Sequence, residues 1–240
     1  MSISVSVLIP VFNEEDSILS ILTEIESLSP QNYSIKNVVI VDDASTDSTF
    51  EILSEFVNSS KRKLNYTLQR HNLNQGKGSA IHTAIGSAQG DYVIIQDADL
   101  EYDPAEIEAL VKPIIKDNAD VVFGSRFMGG NPHRKLFFWH SLGNGLLTFL
   151  SNAVTNLNLT DMETCYKLIR TSIIQSLVLK EKRFGFEPEL TVKLARIPEI
   201  KIYEVGISYY GRTYDEGKKI NWRDGFRAIF CIFRYGLFTR

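Results

Sequence analysis

The chain is 240 residues long, 44% hydrophobic and 23% charged, with a formal net charge of −3. That size suits one large α/β domain, or a domain with a small appendage, and the charge argues against general nucleic-acid binding. Two cysteines, Cys165 and Cys231, make neither a disulfide framework nor a metal-ligand spacing, which fits a reducing cytoplasm.

In chain order, Ser4 to Pro10 reads as a first strand. Asp16 or Ser17 then caps a helix that keeps Ile18, Ile21, Leu22, Ile25 and Leu28 on one face. The apolar run at the N-terminus has no basic leader and continues into Asn13-Glu14-Glu15-Asp16, so it does not read as a signal peptide. Val38 to Val41 is a second buried strand, ending in Asp42-Asp43. Ser48 and Glu51 form a capping box for a second helix with Phe50, Leu53, Phe56 and Val57 inward. Leu64 to Gln69 is a third strand, followed by the polar loop 72–78 and a helix carrying Ala80, Ile81, Ala84, Ile85 and Ala88. Tyr92 to Ile95 is an unbroken apolar run typical of a strand buried on both faces. A helix from Pro104 to about Lys116 and a strand Val121 to Phe123, ending in Gly124-Ser125-Arg126, complete the regular part. Such alternation predicts a doubly wound, mostly parallel sheet with helices on both faces.

The remainder is less regular. Residues 132–158 read as mostly helical, 160–170 as a strand or turn, and 171–179 and 187–196 as helices. Residues 200–210 read as a strand, and 222–240 as an aromatic helix with interspersed arginines. The longest apolar stretch, 136–160, is interrupted by His140, Asn144, Asn152 and Asn156 and is not read as a membrane span. The chain is expected to be cytoplasmic, either soluble or peripheral on the membrane. The C-terminal helix is open to three readings: a membrane interface, a homo-oligomer surface or core packing. The four histidines lack ligand spacing and read as structural.

Asp97-Ala98-Asp99 ends the apolar run of Tyr92 to Ile95. In extended backbone, i and i+2 point the same way, so Asp97 and Asp99 converge where α/β sheets bind ligands. With Glu101 they predict a hard divalent cation, Mg²⁺ or Mn²⁺, bridging a nucleotide diphosphate. The alternative is a helix start, which explains Asp103-Pro104 but neither Asp97 nor Asp99. Asp43 is suited to accept from a base N–H or a ribose hydroxyl. Lys77 either touches the nucleotide or is solvated. Gly76-Lys77-Gly78 is not a P-loop, and no G-x-G-x-x-G follows the first strand. Arg126 is expected on a strand beside the metal strand, facing a diphosphate or an acceptor phosphate, with a structural ion pair as the alternative.

The ordered segments V-L-I-P-V-F-N-E, V-D-D-A-S-T-D-S-T, N-x-G-K-G, D-A-D-L-E and G-S-R resemble the family 2 glycosyltransferases. Among these the chain is similar to the dolichyl-phosphate mannose or glucose synthase type, over residues 4–225. The resemblance implies a GT-A nucleotide-diphospho-sugar fold and an inverting, metal-dependent transfer. It implies Pro10, Phe12, Asn13, Glu14 and Asp43 around the nucleotide, with Asp97, Ala98 and Asp99 at the diphosphate and metal. Glu101 stands where the synthases commonly carry Gln. Arg212, Lys218 and Lys219 lie on a Gly-containing loop that in the family closes over the donor; a solvated hairpin is the alternative. Asp99, Arg126, Arg212 and Lys218 are the expected catalytic set.

The expected organisation is one GT-A domain over 1–225, with a nucleotide-sugar half (1–126), an acceptor half (127–225) and a C-terminal amphipathic helix (226–240). The donor is a UDP- or GDP-sugar. The acceptor is a polyprenyl phosphate, already ionised, or a saccharide that needs a general base from Asp161, Glu163 or Glu187. A non-catalytic nucleotide-sugar sensor is a third reading. Synthases of the lipid type often carry membrane helices after the catalytic domain, which these 240 residues do not show.

Overall fold

The computed structural model describes residues 3–129, 132, 134, 138–213 and 222–238. The apolar runs of the sequence become seven strands: β1 (Ile3–Val11), β2 (Tyr33–Asp42), β3 (Tyr66–Arg70), β4 (Tyr92–Ile95), β5 (Val121–Ser125), β6 (Lys167–Arg170) and β7 (Ile202–Gly206). They form one sheet in the order β3-β2-β1-β4-β6-β5-β7. β6 runs antiparallel to β4 and β5, while the other described pairings are parallel. The central strands are buried on both faces, which is why they read as unbroken runs rather than as alternation.

The helices are α1 (Ile18–Ser27), α2 (Thr49–Asn58), α3 (Lys77–Ile85), α4 (Ile107–Asp117), α5 (Phe138–Thr155), α6 (Thr171–Ser176), α7 (Phe186–Ala195) and α8 (Trp222–Leu237). α4 follows a 3-10 turn, Pro104–Glu106, whose start is capped by Asp103 accepting from Ala105 N at 2.8 Å. The capping box expected at Ser48 does not form: Ser48 makes no side-chain cap bond. Its own N–H donates to Glu15 Oε2 at 2.9 Å, and Asp47 accepts from Thr49 N at 3.1 Å instead.

Two further expectations change. The segment 160–170 is extended only over β6, and β6 is inserted between β4 and β5. Arg126 therefore does not follow a strand next to β4. α8 packs on α5 and α7, with Cys231 and Tyr235 buried against Val192. Gly236 permits this approach, since a Cβ there would lie 1.9 Å from Val154 Cγ1.

Candidate active site

The parallel strands β2, β1 and β4 end on one edge of the sheet. Because β6 is antiparallel, the residues that precede it reach that same edge. There they enclose a cleft of about 350 Å³, lined among others by Pro10, Phe12, Glu14, Asp43, Lys77, Asp97, Ala98, Asp99, Glu101, Arg126 and Arg212. That volume lies in the range of small-molecule sites.

At the end of β2, Asp43 is buried and accepts from Gln75 N at 3.0 Å and Gly76 N at 2.6 Å. His71 Nδ1 lies 2.7 Å from Asp43 Oδ1, and its Nε2 lies 2.9 Å from Thr83 Oγ1. One carboxylate thus fixes the whole loop before α3. At the end of β1, Asn13 adopts φ 50° and accepts from Thr46 N at 2.8 Å. This ties the β1 and β2 loops together, and a short polar side chain tolerates the left-handed conformation. Glu14 accepts from Ser17 Oγ at 2.7 Å.

At the end of β4, Asp97 pairs with Lys77 at 2.6 Å. Burial opposes the charge on Lys77, but Asp97, Cys165 and Glu187 hold its pKa well above the ordinary value. Asp99 Oδ2 lies 2.9 Å from Arg212 Nη2, and the same guanidinium reaches both Glu14 oxygens at 3.2 Å. Glu101 accepts from Arg212 N at 2.6 Å and from Tyr209 OH at 3.0 Å. Burial, then Asp97 and Glu101, push the Asp99 carboxyl up to about 7 against the pull of Arg212 and Lys77. The edge is short of positive charge even with both cations in place.

Arg126 is gripped bidentately by Asp161, with Nε to Oδ2 at 2.6 Å and Nη2 to Oδ1 at 2.8 Å. Asn144 of α5 touches both partners, at 3.3 and 3.2 Å. Although burial opposes it, Arg126 holds the Asp161 carboxyl below the ordinary range. Glu204 accepts from the backbone N–H groups of Thr160 and Asp161, fixing the loop that carries it.

Deeper in the cleft, Glu187 pairs with the fully buried Lys167, and Glu163 stands close enough to feel its charge. Burial, then Glu187, push the Glu163 carboxyl up to about 7 from 4.5. A carboxyl that titrates near 7 when folded and near 4.5 when unfolded binds more protons in the folded state. The pH-dependent part of its burial cost is therefore absent below pH 4.5, grows as pH rises from 4.5 to 7 and is fully present above 7. Glu163→Gln is expected to raise the melting temperature at pH 8 by more than at pH 5, equivalent to roughly 2–4 kcal/mol. Equal shifts at both pH values would contradict this.

Of the residues singled out from sequence, Pro10, Phe12, Glu14, Asp43, Lys77, Asp97, Ala98, Asp99, Glu101, Arg126 and Arg212 line one cleft. Asn13 braces the rim, and Lys218, Lys219 and His133 lie outside the described residues. Sequence reasoning missed the His71 brace, Cys165, and the Arg183-Phe184 wall. The glycines of N-x-G-K-G carried the one usable signal for that wall. A Cβ at Gly76 would meet Lys182 O at 2.6 Å, and one at Gly78 would meet Glu181 O at 2.4 Å.

The carboxylates at the end of β4 imply a divalent cation, and the donor set fits one in part. Hard oxygens crowd an edge that already raises the proton affinity of Asp99, which is the condition a cation relieves. Among the described residues no three His, Cys, Asp or Glu side chains stand together as a ligand set. Mg²⁺ commonly takes only one or two carboxylates, with phosphate oxygens and water completing its shell.

The strand order, with one antiparallel strand inserted beside β4 and the acidic edge it serves, defines a GT-A glycosyltransferase. The chain belongs to glycosyl transferase family 2, whose profile matches residues 6–178. It is 26% identical to a UDP-N-acetylglucosamine–dolichyl-phosphate N-acetylglucosaminyltransferase of Methanococcus voltae, over 94% of this chain and 93% of that protein. It is 25% identical to a dodecaprenyl-phosphate galacturonate synthase of Rhizobium johnstonii over 90% of this chain, which spans 62% of that protein's length. In structure it is similar to glucosyl-3-phosphoglycerate synthase of Mycobacterium tuberculosis, solved with Mn²⁺, UDP and product. The TM-score is 0.71 at 18% identity, over 98% of this chain and 80% of that one.

Proposed function

We propose that this glycosyltransferase moves a sugar from a UDP- or GDP-sugar to a polyprenyl phosphate, with inversion and with Mg²⁺ or Mn²⁺. The observation that carries the reading is the convergence of Asp43, the β1 loop, Lys77, Asp97, Asp99 and Arg212 on one cleft. Nucleotide, diphosphate and leaving-group charge are each met there. The Mycobacterium tuberculosis structure with Mn²⁺ and UDP supports the donor, and the names of the two relatives support the acceptor.

In this reading residues 1–126 hold the donor's nucleotide diphosphate, with Arg212 reaching it from the second half, 127–225 hold the acceptor, and α8 is an attached helix. Pro10, Phe12, Asn13, Glu14, Asp43 and Lys77 surround the nucleotide. Asp97 and Asp99, paired here with Lys77 and Arg212, would hold the cation, which would supply positive charge to the departing diphosphate. Glu101, whose two oxygens accept from Arg212 N and Tyr209 OH, would add a ligand through the acceptor capacity those bonds leave. Arg212 adds positive charge at the leaving group, a role also proposed for Lys218 from its sequence position, and Arg126 meets a phosphate while held by Asp161. The acceptor phosphate is already ionised, so no residue has to take its proton.

Among the described residues no helix is long and apolar enough to cross a membrane. Two helices nevertheless turn large apolar side chains outward: Trp139, Leu142, Leu146 and Phe149 on α5, and Phe230 and Leu237 on α8, with Phe238 just beyond it. α5 is the helix whose Asn144 touches Arg126, so the exposed stripe lies on the element that reaches the proposed acceptor end. We infer peripheral seating on an anionic bilayer through α5 and α8, a reading the outward apolar stripe supports.

A saccharide acceptor is the second reading. It needs a general base, and Glu163, with its pKa near 7, suits that role better than the ion-paired Asp161. Calorimetric titration of UDP and of GDP, with and without Mn²⁺, tests the donor site. One of them is expected to bind at least about tenfold tighter with the metal. Binding of neither would overturn the reading.

A further inference from the structure

The edge order β2, β1, β4, β6 sets out a line of groups: Asp43, then Pro10 to Glu14, then Asp97 and Asp99, then Glu163 and Cys165 ahead of β6. On the reading above, on which this inference rests, a nucleotide diphosphate laid along the first three leaves its sugar at the fourth. Glu163 and Glu187 line the cleft there, each with a buried Oε1 that has no hydrogen-bond partner. Glu187 is 7% exposed, and its other oxygen is taken by Lys167. The cations around them are committed: Lys77 to Asp97, Lys167 to Glu187 and Arg126 to Asp161. Arg183 is exposed at the rim.

A buried carboxylate oxygen without a donor is costly, and the hydroxyl groups of a sugar supply the missing donors. A sugar that bears its own carboxylate supplies fewer and adds repulsion. We infer that Glu163 and Glu187 form the subsite for the donor's sugar and select sugars rich in hydrogen-bond donors over hexuronates. The buried, like-charged setting that pushes Glu163 up to about 7 is consistent with a carboxylate waiting for such a donor.

UDP-glucose and UDP-glucuronate differ only at C6, as do GDP-mannose and GDP-mannuronate. Their binding to the full chain is measured calorimetrically with Mn²⁺ at about pH 8, where Glu163 is ionised. For the base that the protein accepts, the uronate is expected to bind at least about tenfold more weakly than the hexose. That gap is expected to narrow at least about threefold in Glu163→Gln or Glu187→Gln. Equal affinity for the two members in the unsubstituted protein, or a gap unchanged in both variants, overturns the subsite while leaving the nucleotide reading intact. Failure of UDP and GDP themselves to bind overturns that reading and the inference with it.

Discussion

Replacing Asp99 with asparagine is expected to lower sugar transfer by roughly 10²- to 10³-fold, the scale of losing one preorganised charge contact to a developing anion. The substitution is nearly isosteric and keeps an acceptor for Arg212 Nη2, which lies 2.9 Å from Asp99 Oδ2. It removes a buried negative charge that Asp97 and Glu101 repel. The melting temperature without ligand is therefore expected to hold or rise while activity collapses. A purely structural Asp99 predicts the reverse, a lower melting temperature with transfer proportionate to the folded fraction. Measuring both on one preparation separates the two.

The second large effect concerns stability. Asp161→Ala leaves the buried Arg126 guanidinium without its bidentate partner and is expected to cost about 3–5 kcal/mol. For a chain of this length, that corresponds to a fall in melting temperature of roughly 6–20 °C. The double change Arg126→Ala with Asp161→Ala is expected to cost less than Asp161→Ala alone, because no unpaired charge remains buried. Additive losses would show that the pair is not coupled as its geometry implies. Arg126→Ala alone also leaves a buried charge unpaired, on Asp161, and is expected to lose both stability and transfer, since Arg126 also lines the cleft.

Much of this was legible in the chain because the informative signals were local. Unbroken runs such as Val38 to Val41 and Tyr92 to Ile95 mark strands buried on both faces, and the acids that end them mark the edge where a ligand sits. Asp97 and Asp99 do line one cleft, but they lie beyond the end of β4, where Ala98 and Asp99 form a turn, so the i, i+2 alternation of extended backbone is not what brings them there. What stayed hidden depends on pairing between distant segments. No local pattern shows that β6 inserts antiparallel between β4 and β5, yet that insertion brings Glu163 and Cys165 to the edge. The Asp161 partner of Arg126 is 35 residues away, and the His71 brace of Asp43 is 28 away. Even the local capping box at Ser48 failed, because Glu15 from another loop claimed the Ser48 N–H. Propensity proposed the motif and tertiary contacts overrode it.

The most direct test of the central claim is nucleoside diphosphate release from UDP- and GDP-sugars with Mn²⁺, in anionic vesicles with and without a polyprenyl phosphate. Trp139→Asp with Phe149→Asp is run alongside. Release from one donor is expected, stimulated at least about tenfold by the lipid, with the stimulation weakened when the apolar stripe of α5 carries the two acids. Donor turnover indifferent to the lipid, but stimulated by a saccharide, would contradict it.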